Sequence, residues 1–309
     1  MRVLVTGAAG FIGSWAMKEL PGHGLDVSGT DKEGAEGILR ADITDLLKLL
    51  KVFEFVRPDA VIHLAAISGS TGKNEAEQSL RQPYLNFHVN SLGTLNVAEA
   101  CRMMNVPSIV YLSTFAVYGR IPRERLPINE ETQTNPEHAY AVSKLEGEET
   151  LRTYSSDFGI TTTIIRAPFV VGEHQRERNV VREFIDSASK GQDLLIFGDG
   201  SHVREFIHPS DLAAAFAAAV RKARDMSTPS DLFIVGNTPI TMRELASKVV
   251  KEVGRGSVVF DSTSIDRTFD QRTDFAKARQ LLSWEPKISI DEIIHRVVAT
   301  EYSSPKRTD

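Results

Sequence analysis

Short, β-branched apolar runs alternate in the first half of the chain with longer stretches whose apolar residues recur every three or four positions. Arg2 to Thr6, Leu25 to Asp31, Ala60 to Leu64, Val106 to Leu112 and Ile160 to Arg166 read as buried strands, with Ile38 to Arg40 as a shorter one. Ser14 to Leu20, Asp45 to Val56, Pro83 to Met104 and Glu137 to Phe158 read as helices between them. Pro58 stops the second helix, because proline lacks a backbone donor and keeps its predecessor out of the helical region. Strands that are apolar throughout, joined by crossover helices, predict an α/β fold with a doubly wound parallel sheet.

The pattern loosens beyond Arg166. Helices are predicted near Val180 to Lys190, Pro209 to Arg224 and Thr241 to Val253, broken by loops rich in Gly, Asp and Pro. This predicts a first domain over residues 1–167 and a smaller, interleaved lobe over 168–309, with the apolar segment 231–236 returning to the main sheet. In such sheets ligands bind beyond the carboxyl ends of the strands, so the residues just after each strand become the site candidates.

The first of those ends carries the clearest chemistry. Gly7-Ala8-Ala9-Gly10-Phe11-Ile12-Gly13 follows the first strand and opens a helix. Gly7 permits the tight turn, Gly10 lets backbone N–H groups close on a pyrophosphate, and Gly13 lets the helix lie against the strand. The second predicted strand ends in Asp31, placed to accept hydrogen bonds from an adenosine ribose. A 2′-phosphate there would meet like charge, so NAD is favoured over NADP, and the sheet reads as a Rossmann domain.

Composition narrows the partners. Across 309 residues, 36 basic and 41 acidic side chains leave a net charge of −5 with no dense basic stripe, so no nucleic-acid partner is expected. No apolar leader precedes the first strand, and the longest apolar stretch, Leu212 to Val220, falls far short of the roughly 20 residues that span a bilayer. The single cysteine, Cys101, lies in an apolar helical run and reads as core, consistent with a reducing cytoplasm. No His/Cys/Asp set has metal-ligand spacing, so no metal is expected; His63 reads as a hydrogen-bonded structural residue. Glu130-Glu131 and Glu146 through Glu149 read as solvated faces.

Later strand ends add reactive groups. His63-Leu64-Ala65-Ala66 closes one strand with small residues that suit a flat ring system, and Ser113-Thr114 closes the next. Tyr140 and Lys144 stand four apart on the following helix, pointing the same way from successive turns. A phenol with a pKa of about 10 is a poor base at neutral pH, but a neighbouring ammonium, and a bound nicotinium, favour the phenolate.

With these residues in place the chain resembles, over nearly its whole length, the extended short-chain dehydrogenase/reductases of the nucleotide-sugar epimerase/dehydratase family. The likeness rests on T-G-x-x-G-F-I-G, Y-x-x-x-K, Asp42-Ile43, His63 to Ala66, Asn90 to Asn96, Ser113-Thr114 with Val117-Tyr118-Gly119, Gly198-Asp199-Gly200 with Arg204, and Asp274 to Pro286. It implies NAD held by Gly7, Gly10, Phe11, Ile12, Gly13, Asp31, Asp42, Ile43, Leu64, Ala65, Ala66, Asn90, Ser113, Tyr140, Lys144, Ala167 and Pro168. It also implies catalysis by Thr114, Tyr140 and Lys144: Tyr140 takes a proton from a sugar hydroxyl, Thr114 holds the same oxygen and Lys144 grips the nicotinamide ribose. The helices from about Pro83 and Glu137 are those through which the family usually forms homodimers.

Several positions sort the branches of that family. Where relatives that eliminate water carry an Asp-Glu pair after the threonine, this chain has Phe115 and Ala116, neither of which exchanges a proton. Where many relatives carry a substrate-holding Asn, Arg166-Ala167-Pro168 leads to Phe169, which reads either as core or as a ring packed on the sugar. Arg204 and Arg272 resemble the arginines that meet a nucleotide diphosphate, and Asn179 a second substrate-holding Asn. The expectation is an NAD-dependent nucleotide-sugar epimerase acting at C4 of a UDP-hexose. The alternatives are a dehydrogenase or reductase of a smaller hydroxyl substrate and a non-catalytic NAD-binding regulator.

Overall fold

Arg2–Thr6 (β1) is buried over four of its five residues and turns at Gly7 directly into Phe11–Glu19 (α1). Asp26–Asp31 (β2), Ile38–Arg40 (β3), Leu46–Val56 (α2) and Ala60–His63 (β4) follow. A helical turn at Pro83–Leu85 and a π-helical stretch, Asn86–Leu92, lead into Gly93–Met103 (α3), then Ser108–Thr114 (β5), Ala139–Phe158 (α4) and Thr161–Ala167 (β6). The remainder comprises Phe169–Val170 (β7), Val180–Ser189 (α5), Leu194–Phe197 (β8), Val203–Arg204 (β9), Phe206–Ile207 (β10), Pro209–Lys222 (α6), Ser230–Ile234 (β11), Ile240–Thr241 (β12), Met242–Val253 (α7), Val258–Asp261 (β13), Ala276–Leu282 (α8) and Ile290–Glu301 (α9). This computed structural model describes residues 1–67, 83–223, 230–261 and 270–302; Arg224, at the predicted end of α6, and most of the polar loop after β4 lie outside them.

Seven parallel strands form the main sheet in the order β11-β6-β5-β4-β1-β2-β3. From β1 the chain runs outward through β2 to β3, then returns to β4 and runs the other way. The reversal lies between β1 and β4, and in such sheets ligands bind beyond the carboxyl ends of the strands at this point. One face is packed by α1, α6 and α8 through Ala16, Phe216 and Leu282, with Leu20 just after α1. The other is packed by α2, α3 and α4 through Phe53, Val97, Cys101 and Leu151. Cys101 is fully buried, and burial pushes its thiol well above the ordinary range. A separate core of Val181, Ile185, Leu245, Val249, Ile293 and Val297 joins α5, α7 and α9 in the second lobe. β11 lies beside β6, and the Trp284 indole donates to the Asp211 carbonyl at 2.8 Å.

Several predicted ends move for local reasons. The strand predicted from Val106 begins at Ser108, after a left-handed Asn105 and Pro107, and continues to Thr114 because Ser113 and Thr114 pair with Arg166 and Ala167. The helix predicted from Glu137 starts at Ala139, because the extended His138 caps it through Nδ1, which accepts the Ala141 N–H at 3.3 Å. Asp45, predicted as the first residue of a helix, instead caps α2 by accepting the Lys48 N–H.

Candidate active site

The loop after β1 is shaped by contacts that leave no room for side chains. Gly7 has φ +72°, and a Cβ there would stand 2.6 Å from the Ala65 nitrogen. A Cβ on Gly13 would stand 1.9 Å from the Gly7 carbonyl oxygen, so α1 packs on the turn itself rather than on the strand. Gly10 is extended and caps α1, and a Cβ on it would meet only the Gly7 oxygen, at 3.2 Å. Phe11, Ile12 and Gly13 form the first turn of α1, whose N–H groups have no partner earlier in the helix. The Asp31 carboxylate stands beside this loop, accepting the Ala9 N–H at 3.1 Å and the Glu33 N–H at 3.4 Å. Asp42 accepts the Thr44 N–H and hydroxyl, while Ile43 is buried against α3 and its carbonyl accepts from Asn96. Leu64 and Ala65 run along Thr6, and Ala66 leads to Ile67, which the Asn90 amide grips at both its N–H (2.8 Å) and its carbonyl (3.2 Å).

Asn90 also donates to Ser143 of α4, tying that loop to the helix that carries Tyr140 and Lys144. The Thr114 hydroxyl, at the end of β5, stands near the Tyr140 phenol and favours its ionised form, bringing two residues of distant sequence together. Burial pushes Tyr140 up to about 12; the Thr114 hydroxyl opposes this and the Glu177 carboxylate adds to it. The lowering expected from Lys144 is not among the influences on this phenol. Lys144 is 4 % exposed, its Nζ lies 4.0 Å from the centroid of the Tyr111 ring, and burial pushes it down to about 7. His63 lies fully buried between the hydroxyls of Thr6 (2.7 Å) and Thr94 (3.0 Å); burial, reinforced by Lys144, pushes it down to about 3 and so keeps it neutral.

Beneath these residues lies an ion pair that the sequence pattern hides. Glu148, predicted as part of a solvated face, is fully buried and accepts two hydrogen bonds from Arg166 of β6, at 2.9 and 2.6 Å. The Ser113 hydroxyl donates to the same carboxylate, so this side chain points into this network. Ala167 and Pro168 are buried at the end of β6. Phe169 is 44 % exposed, so the core reading does not hold; its ring leans on Phe206 at 6.2 Å.

On the second lobe Arg204 ends β9 half-buried, and Arg272 is exposed on a segment whose backbone accepts the Ile128 N–H at 2.8 Å. Asn179, expected to hold substrate, also has a local role. Its carbonyl oxygen caps α5 by accepting the Arg182 N–H, and its amide donates to Gln175, so both ends of the side chain serve the fold. Next to Arg204 is a residue that composition does not flag, Glu205, fully buried, accepting two hydrogen bonds from Thr273, which follows Arg272, and pushed up to about 7 by burial. Leu195 and Phe197 on β8 are about half exposed while Leu194 and Ile196 face inward; the alternation was the signal available for them. Among the described residues no group of three His, Cys, Asp or Glu is arranged to hold a metal, and no helix is long and apolar enough to cross a membrane.

The profile of the NAD dependent epimerase/dehydratase family matches residues 3–236. A UDP-glucose 4-epimerase of Mycolicibacterium smegmatis is 31% identical over 318 residues, which cover 96% of this chain and 97% of that protein. The solved UDP-glucose 4-epimerase of Thermotoga maritima with UDP-glucose superposes with a TM-score of 0.84 at 26% identity, covering 97% of this chain and 98% of that one. The Brucella ovis enzyme in complex with NAD gives 0.86 at 26% identity, covering 96% and 97%.

Proposed function

The chain belongs to the NAD dependent epimerase/dehydratase family, and from that premise we propose that it is a nucleotide-sugar epimerase acting at C4 of a UDP-hexose. The observation that carries this is the meeting of Thr114 and Tyr140 one helical turn from Lys144, beside the glycine loop of the first strand. NAD is the cofactor, and the loop fits it, since a dinucleotide needs a close backbone approach and the Cβ position of Gly10 has no atom within 4 Å but the Gly7 oxygen, so the backbone there is bare on its open side. We assign its pyrophosphate to the N–H groups of Phe11, Ile12 and Gly13, its ribose to Asp31, and its nicotinamide end to the neighbourhood of Lys144 and Ala167. When bound, NAD supplies the hydride acceptor and donor that oxidises a carbinol and reduces the carbonyl from its other face.

The residues handle the proton. Tyr140 Oη takes it from the reacting hydroxyl and gives it back, Thr114 orients the same oxygen, and a cationic Lys144 nearby favours the phenolate. Phe115 is buried against Tyr118 and Ala116 carries no proton, so neither side chain after Thr114 supplies the further acid or base that water elimination needs. Arg204 and Arg272 are the phosphate-gripping candidates, and the exposed faces of Phe169, Leu195 and Phe197 suit sugar and nucleobase. Replacing Arg272 by Ala is expected to raise KM for the nucleotide sugar roughly 10- to 100-fold with little change in kcat, because one charge-assisted contact of about 1.5–3 kcal/mol is lost. Initial-rate kinetics read this directly. We also read the exposed Leu95, Met103 and Phe158 on α3 and α4 as a self-association face, which light scattering tests.

The decisive assay gives purified protein NAD and a panel of UDP-, dTDP-, GDP- and CDP-sugars, following sugar product and NADH absorbance together. An epimer formed without NADH accumulation supports the reading. A second reading, net dehydrogenation of a smaller hydroxyl substrate, draws on Phe169 standing where a donor is expected and on the commitment of Asn179 to the fold. It calls for NADH formed in step with product.

A further inference from the structure

Helix α4 buries two opposite charges one turn apart. Lys144 and Glu148 are 4 % and 0 % exposed, and charges out of water are costly unless they are paired. Their partners differ. Glu148 is closed by Arg166 through two hydrogen bonds and by the Ser113 hydroxyl, with Arg152 3.6 Å away at its outer side. Arg166 in turn lies 4.8 Å from the Tyr118 ring. Lys144 has no carboxylate within 4 Å among the described residues and rests on the Tyr111 ring.

The groups that face Lys144 from the surrounding elements are neutral His63 of β4, Tyr111 of β5, and Tyr140 and Glu148 of α4 itself, with Arg166 of β6 behind Glu148. Glu148 is the anion among them. We propose that the Glu148–Arg166 pair is a positioning device, in which the carboxylate holds Lys144 as an ammonium and Arg166 limits how strongly it does so. Ser113 links this pair to β5, where Thr114 is the next residue. The proposal rests on the reading of Tyr140 and Lys144 as the reacting pair.

The two halves of the pair carry opposite signs. Burial pushes Lys144 down to about 7 and the Glu148 charge opposes this. Without that charge, burial and Arg166 both act against the ammonium, which is then lost at lower pH. Without the Arg166 charge, Glu148 acts unopposed and the ammonium persists to higher pH. A merely structural role would depress the rate in both variants and move the pH profile in neither.

The test compares kcat/KM against pH for the wild-type protein, Glu148→Gln, Arg166→Gln and the exposed control Glu149→Gln. The alkaline limb is expected to fall by about 1 pH unit in Glu148→Gln and to rise by a similar amount in Arg166→Gln, with the control superimposed on the wild type. The same displacements are read without turnover from the titration of the Lys144 Cε resonance in 13C-lysine-labelled protein. Unmoved limbs and resonances, or shifts in one direction for both variants, would overturn the proposal. If Glu148→Gln does not fold, the upward shift in Arg166→Gln decides alone. A wild-type protein inactive on every substrate would sink the reading of the reacting pair, while the Lys144 resonance would still decide the role of Glu148.

Discussion

Replacing Tyr140 by Phe is expected to lower kcat by roughly a hundredfold to ten-thousandfold, the range that a positioned acid-base group contributes. The substitution keeps the ring and its place on α4 and removes only the phenolic oxygen beside Thr114. One polar contact at the phenol is worth about 1 kcal/mol at most, so unfolding by urea should shift little. NAD content should also hold, because the glycine loop and Asp31 are untouched. Steady-state turnover, the urea midpoint and bound NAD measured on one preparation separate loss of chemistry from loss of structure. A variant retaining more than a tenth of the wild-type kcat would remove Tyr140 from the proton step.

The environment explains why so much should hang on one hydroxyl. Burial pushes Tyr140 up to about 12 and Lys144 down to about 7, so each disfavours its working charge alone. A phenolate and an ammonium placed together offset each other's cost, and a positive ring brought against the phenol favours the phenolate further. The site thus favours proton removal only in the presence of the whole constellation. This is a physical reason for Thr114, Tyr140 and Lys144 to act as a unit rather than as additive contributions.

Much of this was legible in the chain because period and chemistry agree there. Apolar runs of strand length, each followed by small or hydroxyl residues, mark both the strands and their carboxyl ends, as at Thr6-Gly7, His63-Leu64-Ala65 and Ser113-Thr114. Local signals fail where a long-range contact decides. Glu148 sits in an acidic run that reads as solvated, and nothing nearby in sequence indicates that Arg166, on a strand beyond the helix, will cross to meet it. The one available hint was spacing, because Ala141, Lys144, Glu148, Leu151 and Ser155 lie along one buried helical stripe. Asn179 shows a second local feature that the resemblance does not reveal: its amide caps the first turn of α5. Phe169 was open between core and surface because a two-residue strand has too little alternation to show which way its ring points.

Replacing Gly13 by Ala should damage the protein more broadly than any change at the reacting pair. The added methyl would lie 1.9 Å from the Gly7 carbonyl oxygen and 2.8 Å from Ala8 Cα, both backbone atoms that no rotamer change can move aside. Either α1 lifts from the turn or the turn opens. α1 buries Trp15 and Ala16 in the core against α6, so lifting it loosens one whole face of the sheet. Opening the turn displaces the N–H groups assigned to the pyrophosphate. A cost of about 3 kcal/mol, with loss of stoichiometric NAD, is expected, read from the urea midpoint and the cofactor absorbance of purified protein. Gly10→Ala is the informative companion: its φ is −72° and its new methyl meets only the Gly7 oxygen, at 3.2 Å, so less than about 1 kcal/mol should be lost. Equal damage from the two substitutions would mean that the loop demands glycine for its motif rather than for the contact at Gly13. A stable Gly13→Ala protein with full NAD would show that α1 can yield, and the tight packing of helix on turn could then no longer explain how the loop holds its shape.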